Sequence, residues 1–121
     1  MIQQITPGPI DYLLIGHVTA DVQPDESVSL GGTASFSGLT AAQFGHQVGL
    51  VTSCSDDLNL EPLSAIQAWV VPSEKSTTFR NETRGGNRVQ HLYSSAARLD
   101  AESVPGLWRD CPLVHLGPVA A

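Results

Sequence analysis

Two features of the sequence could bind a ligand: a pair of adjacent glycines and an acidic residue that precedes them. Gly31 and Gly32 stand directly before a run with helical spacing, residues 33–44. The free N–H groups at the start of a helix carry partial positive charge, which suits an oxygen-rich or anionic ligand. Asp21 lies upstream of the glycines, and its carboxylate could accept hydrogen bonds from hydroxyl groups and so orient a polyol.

Each feature also has a purely structural explanation. A lone Gly-Gly pair is a weak signal, and the stretch could simply be a buried connector helix with a flexible entry. Asp21 could be a loop aspartate that hydrogen-bonds its own backbone in a turn. The apolar, strand-like runs on either side of the stretch favour the functional interpretation.

The helix after the glycines is expected to pack closely against a sheet. Thr33 or Ser35 could cap its first N–H groups, and Gly45 stands where a helix often ends in a left-handed residue. Small residues fall on one helical face, namely Ala34, Gly38, Ala41, Ala42 and Gly45.

Three apolar runs predict a buried parallel sheet: residues 11–18, 47–54 and 113–117. Continuous apolar runs are typical of strands that are covered on both faces, and a strand–helix–strand order implies a right-handed crossover. The loop after the first strand, predicted over residues 19–29, then leaves from the carboxyl edge of the sheet. Ligands of open α/β sheets bind at that edge.

Residues 76–93 carry the strongest hairpin signal, because Gly85 and Gly86 separate two β-rich runs. Polar residues occur on both faces of this hairpin, which places it away from the centre of the sheet. Arg80, Arg84 and Arg88 cluster near its tip, either as a solvated surface or as a lid that senses phosphate.

Shorter elements are predicted around these. A strand is expected within residues 27–30, a second helical segment from Asp56-Asp57 onward, another strand at residues 68–71, and a short helix or turn at residues 100–105.

The composition excludes several classes of protein. The 121 residues allow at most one small domain, and 41% hydrophobic with 15% charged residues is typical of a folded one. The net charge is −6 and Lys75 is the only lysine, so neither nucleic acid nor an anionic membrane surface is an expected partner. No run approaches a membrane span in length, and no signal-peptide core is present, so we expect a cytoplasmic location.

The cysteines and histidines do not predict a metal centre. Cys54 and Cys111 sit at the edges of apolar runs and are expected to be buried free thiols. The four histidines show no metal-ligand spacing with one another or with the cysteines.

The order of these features resembles the N-terminal part of the ribokinase-like (PfkB) carbohydrate kinases. The resemblance covers essentially the whole chain from Asp11 onward, so residues 1–121 would be the N-terminal part of one ribokinase-like domain. It implies an α/β fold: a Rossmann-type parallel sheet with flanking helices and a small β lid over residues 27–30 and 76–93. The LGGTASF stretch is most similar to the branch that contains inositol kinases. The features run in the order strand, Asp21, Gly31-Gly32, helix, strand, Asp56-Asp57, hairpin and VHLGPVA.

The resemblance also implies a function, the transfer of phosphate from ATP to a hydroxyl of a sugar or polyol. The family's substrate aspartate falls on Asp21, and its di-glycine, which lies against the substrate, falls on Gly31 and Gly32. Phe36 stands where many members have an asparagine. This departure replaces a hydrogen-bonding amide with a bulky wall and argues against a ribose-type substrate.

The family's catalytic aspartate, Gly-rich anion hole and nucleotide site have no counterpart in this sequence. We therefore expect no catalytic residue and no metal ligand within it. ATP and Mg²⁺ are implied by the family, with their sites elsewhere, and this chain by itself is expected to be inactive.

A homodimer through the lid hairpin is also possible. Two other interpretations of the function remain open. The chain could be a non-catalytic sugar- or polyol-binding or interaction domain derived from the same fold. A dinucleotide-binding Rossmann unit is a weaker alternative, because residues 16–19 lack the Gly-x-Gly-x-x-Gly pattern that should follow the first strand.

Overall fold

The computed structural model describes residues 4–119, in which eight strands form two four-stranded sheets around one α-helix. The helix is α1 (Thr33–Gln43), and short 3₁₀ turns lie at Glu61–Leu63, Ala101–Ser103 and Gly106–Trp108. The strands are β1 (Tyr12–Ile15), β2 (Thr19–Val22), β3 (Val28–Gly31), β4 (Val48–Cys54), β5 (Gln67–Pro72), β6 (Thr77–Arg84), β7 (Asn87–Ser94) and β8 (Val114–Leu116).

The first sheet is parallel throughout and has the strand order β5-β4-β1-β8. Every residue of β4 is buried, as its uninterrupted apolar run predicted. All three predicted strands are present, although β1 ends at Ile15 and not at residue 18. The prediction that the third strand is buried was wrong, because β8 lies at the edge of the sheet and exposes Val114 and Leu116. The mixed α/β architecture with a parallel sheet is therefore the one that the sequence predicted.

Helix α1 packs closely on this sheet through its small residues. A Cβ atom added to Gly38 would lie 3.1 Å from Cδ1 of Ile66 and 3.4 Å from Cδ2 of Leu14, so even an alanine there would push on the side chains of the sheet face. Ala34 and Ala41 are buried on the same face. The helix ends as predicted, because Gly45 adopts a φ of +91°.

The start of α1 differs from the prediction. The N-cap is Gly32, and no side chain caps the helix. The Ser35 hydroxyl instead donates 2.8 Å to the carbonyl of Gly31, because Ser35 already lies within the first turn. The predicted glycine turn is also shorter than expected. Gly31 is the last residue of β3, and of the two adjacent glycines only Gly32 has a positive φ.

The opposite face of the parallel sheet is covered by Trp108. Its side chain is fully buried beside Leu13, Val51 and Val104. The indole Nε1–H donates to the carbonyl of Gly8 at 2.9 Å. This bond satisfies the one polar atom of the largest core residue and ties the lead-in segment to the sheet.

The second sheet is mixed and has the order β3-β2-β6-β7. It contains the predicted hairpin, whose turn residues Gly85 and Gly86 both have positive φ, as a tight hairpin turn requires. The prediction of a loop over residues 19–29 was wrong for its first part, since Thr19–Val22 is strand β2. This strand pairs with β3 on one side and β6 on the other, and these partners supply the backbone hydrogen bonds that a loop would have taken from water.

The prediction of a second helix from Asp56-Asp57 onward is also wrong. Beyond Asp56 the chain forms a turn, in which Leu58 N–H donates to the carbonyl of Ser55, and then only a 3₁₀ turn at Glu61–Leu63. The Asn59 side chain accepts from the N–H of Glu61. The N–H groups of Ser64 and Ile66 donate to carbonyls three residues back, and the chain enters β5 at Gln67, so the segment ends after one short turn. The prediction at residues 100–105 is confirmed by the capped turn at Ala101–Ser103.

Candidate functional site

The side chains on one face of the second sheet point toward the start of α1. Because cross-strand neighbours share a face, the register places Asp21 on β2 with Phe79 on β6. The same rule places Asn81 with Gln90, and Thr83 with Arg88. We call the second sheet (β3-β2-β6-β7) the lid sheet, because it contains both segments of the predicted lid, and we call this surface its inner face.

Two adjoining cavities lie against the inner face. The smaller, of about 370 Å³, opens between the sheet and the first turn of α1. The larger, of about 520 Å³, extends toward the hairpin tip. Asp21, Phe36 and Arg88 line both cavities, so these side chains occupy the boundary between them. The smaller cavity is lined further by Thr19, Gly32, Thr33, Phe79, Gln90, Pro118 and Val119.

Asp21 is held in place by its own strand and by a glycine on the neighbouring one. The Thr19 hydroxyl donates to Oδ1 of Asp21 at 2.8 Å. A Cβ atom on Gly31 would lie only 2.1 Å from Oδ2 of Asp21 and 2.8 Å from the Thr19 hydroxyl oxygen. Gly31 is buried behind the carboxylate, so the lack of a side chain at this position leaves the space that the carboxylate occupies.

Gly32 lines the smaller cavity itself, and its backbone explains why it is glycine. Its φ is +93° with ψ 147°, a region that other residues rarely adopt. A Cβ atom there would also lie 2.7 Å from the carbonyl oxygen of His17. The two adjacent glycines therefore serve different needs: Gly31 makes room for a side chain, and Gly32 turns the chain from β3 into α1.

Phe36 forms an apolar wall on the helix side of both cavities. It lies one turn into α1 and is 64% exposed although its neighbours Ala34 and Ser35 are buried. A phenylalanine exposed to this extent contributes little to the core, and its ring borders both cavities.

The three arginines of the hairpin do not form one cluster. On the outer face of the lid sheet, Arg80 makes two hydrogen bonds of 2.7 Å to the Glu26 carboxylate. The same guanidinium holds the pKa of Glu26 below its usual value. Arg84 pairs with Glu82 at 3.0 Å. Arg88 alone reaches the inner face, so the sequence was misleading in grouping it with the other two.

Asn81, Gln90, Phe79 and Gln23 are lining residues that the sequence did not single out. The Asn81 side chain is buried, with 8% of the residue exposed, and its Oδ1 accepts from Arg88 at 3.2 Å and from Gln90 at 3.1 Å. The position of the hairpin turn at Gly85-Gly86 fixes this register, so the turn was the signal from which these neighbours could have been found.

The described residues contain no evident metal centre or membrane-spanning element. Within residues 4–119, no three His, Cys, Asp or Glu side chains are grouped closely enough to hold a metal ion. None of the helices in that part of the chain has the length and hydrophobicity to cross a bilayer.

The fold is shared with solved kinase structures, although no protein-family model and no curated protein matches the sequence. A pyrophosphate-dependent kinase in the ribokinase family, complexed with a pyrophosphate analogue and myo-inositol, aligns with a TM-score of 0.66 at 22% identity. The alignment covers 88% of this chain and 40% of that one. A pyrophosphate-dependent myo-inositol-1 kinase converted by mutation into a myo-inositol-3 kinase also gives 0.66, at 20% identity over 88% and 38%.

A microbiome-derived acarbose kinase aligns with a TM-score of 0.59 at 19% identity, over 90% of this chain and 46% of its own. This chain thus spans less than half the length of the structures that it matches. The structural alignments establish the fold and nothing finer. Residues 4–119 therefore have an α/β fold with a parallel sheet that is found in ribokinase-family kinases.

Proposed function

We propose that this protein is the N-terminal, substrate-binding part of a ribokinase-like kinase that phosphorylates a hydroxyl of a sugar or polyol. The observation that carries the proposal is the position of Asp21. Its carboxylate lies on the inner face of the lid sheet, opposite the Gly32 entry to α1, and borders both cavities. In this proposal the acceptor lies between the lid sheet and α1.

Asp21 would orient the acceptor through its hydroxyl groups. An ionised carboxylate has about four acceptor positions, and the Thr19 hydroxyl takes one of them. The remaining positions can receive two hydroxyls of a polyol, and each such charge-assisted bond contributes about 1.5–3 kcal/mol. The bond from Thr19 restricts the carboxylate to one orientation, so less side-chain entropy is lost when the ligand binds.

Gly32 and Phe36 would shape the same site. The N-cap backbone at Gly32 allows a ligand to approach the first turn of α1 closely, since no Cβ stands between them. Phe36 would lie against the C–H groups of the ring, which gives the site one apolar side and one hydrogen-bonding side.

The phosphoryl donor and Mg²⁺ would be held outside the residues described here. These residues offer no group of metal ligands, and the sequence contains no Gly-rich phosphate loop. The resemblance implies ATP as donor. Two of the solved kinases with this fold are pyrophosphate-dependent by name, so both donors are to be tested.

Calorimetric titration of the purified protein with myo-inositol, glucose and ribose tests the proposal. We expect at least one polyol to bind, and Asp21→Asn to weaken that binding at least tenfold, since the amide keeps the size of the carboxylate but loses its charge. Asp110→Asn is the matched control, because Asp110 is an exposed aspartate in the turn that follows Trp108. Failure of every polyol to bind, or equal binding by the Asp21→Asn variant, would contradict the proposal.

The same samples distinguish the kinase from a non-catalytic polyol-binding domain. Incubation with the bound polyol, Mg²⁺ and either ATP or pyrophosphate should give no product with this chain alone. Product should form when the protein is expressed with any continuation of its reading frame. Binding without transfer from either donor in both preparations would support the non-catalytic domain.

A further inference from the structure

We infer that the ligand of this site carries an anionic group, a carboxylate or a phosphate, which Arg88 binds while Asp21 holds the hydroxyls. The inference rests on the proposed function, because it assigns a substrate class to the same site. It makes Arg88 a specificity-determining residue.

The first argument is the distribution of charge over the two faces of the lid sheet. On the outer face, the charged side chains pair with each other: Arg80 with Glu26 and Arg84 with Glu82. On the inner face the charged side chains are Asp21 and Arg88. Within residues 4–119, no carboxylate forms an ion pair with Arg88. Glu82 borders the larger cavity, but its carboxylate is already paired with Arg84.

The second argument is that a buried neutral group positions the Arg88 guanidinium. One Nη of Arg88 donates to Oδ1 of Asn81 at 3.2 Å. Gln90 donates to the same oxygen at 3.1 Å, and Nδ2 of Asn81 lies 3.4 Å from Oε1 of Gln23. Through this network the buried Asn81 holds one Nη of the exposed Arg88 side chain at the cavity. The bond does not neutralise the guanidinium, because an amide carries no charge.

The third argument is chemical complementarity. A guanidinium has five N–H donors, and the bond to Asn81 uses one. The remaining donors form a planar fork that matches two oxygens of a carboxylate or phosphate better than a single hydroxyl. Since Asp21 and Arg88 line the same two cavities, one ligand with hydroxyls at one end and an oxyanion at the other can contact both.

The test compares matched neutral and anionic ligands by calorimetry. The pairs are myo-inositol with an inositol monophosphate, and glucose with glucuronate, so that phosphate and carboxylate are distinguished. For at least one pair we expect the anionic member to bind at least tenfold more tightly, and this advantage should shrink as NaCl is raised. Arg88→Gln should abolish the advantage, and Arg88→Lys should retain part of it. Arg109→Gln is the matched control, because Arg109 is an exposed arginine that lines neither cavity, and it should leave the advantage unchanged.

The outcomes separate failure of this inference from failure of the proposed function. Neutral polyols that bind as well as their anionic partners, or an advantage that survives Arg88→Gln, would overturn the inference and leave the proposed function intact. Inorganic phosphate that binds as tightly as the inositol monophosphate would also overturn it, because the polyol part would then contribute nothing. If no neutral or anionic polyol binds, or if binding ignores Asp21→Asn, the proposed function fails as well.

Discussion

Gly31→Ala is the variant that most directly tests how the site is built. A Cβ atom at this position would lie 2.1 Å from Oδ2 and 2.6 Å from Cγ of Asp21. Non-bonded heavy atoms settle near 3.5 Å or more, so the carboxylate must move by more than about 1 Å. The backbone of β3 need not move, because the obstacle is the end of a side chain.

The expected cost therefore differs between stability and binding. Moving the carboxylate breaks its bond from the Thr19 hydroxyl, which should lower the free energy of unfolding by about 1 kcal/mol. Binding loses one or more charge-assisted bonds at about 1.5–3 kcal/mol each, which corresponds to a roughly 10- to 150-fold weaker Kd. A small loss of stability with a large loss of affinity is the expected result.

A double-mutant cycle makes the reasoning refutable. Polyol affinity would be measured by calorimetry for Gly31→Ala, Asp21→Ala and the double variant, with urea unfolding on the same samples. If Gly31 acts only by making room for Asp21, the double variant should bind no more weakly than Asp21→Ala alone. Gly106→Ala is the control, since a Cβ there meets nothing within 4 Å. Wild-type affinity in Gly31→Ala, or fully additive effects, would refute this role for Gly31.

Three further predictions concern the fold and its thiols. Gly32→Ala should lower the free energy of unfolding in urea by about 1–3 kcal/mol, because its φ of +93° strains any L-residue; the wild-type midpoint would contradict this. Trp108→Ala should cost about 3–5 kcal/mol, since the ring is fully buried; a loss below 1 kcal/mol would show that the sheet face does not need it. Burial, with Asp56 and Asp57 nearby, raises the pKa of the Cys54 thiol to about 11. Iodoacetamide at pH 8 should therefore modify Cys111 and spare Cys54 in the folded protein, as measured by mass spectrometry. Modification of Cys54 before Cys111 would contradict this prediction.

Elements whose signals are local could be predicted from the sequence. The apolar run of β4 and the small-residue face of α1 are patterns of a few consecutive turns or residues, and each is found where it was expected. The hairpin was predictable for the same reason, because Gly85 and Gly86 supply the positive φ angles that its turn needs. The resemblance then suggested Asp21, Gly32 and Phe36, which the fold brings to one pair of cavities.

The tertiary structure alone decided the features that depend on partners distant in the sequence. Thr19–Val22 is a strand only because β3 and β6 flank it and pair with its backbone. Arg88 could not be separated from Arg80 and Arg84 by sequence, because a side chain's face is known only once the register of its strand is known. The role of Gly31 was hidden for the same reason: the group that needs its missing Cβ belongs to the neighbouring strand, and only folding brings the two together.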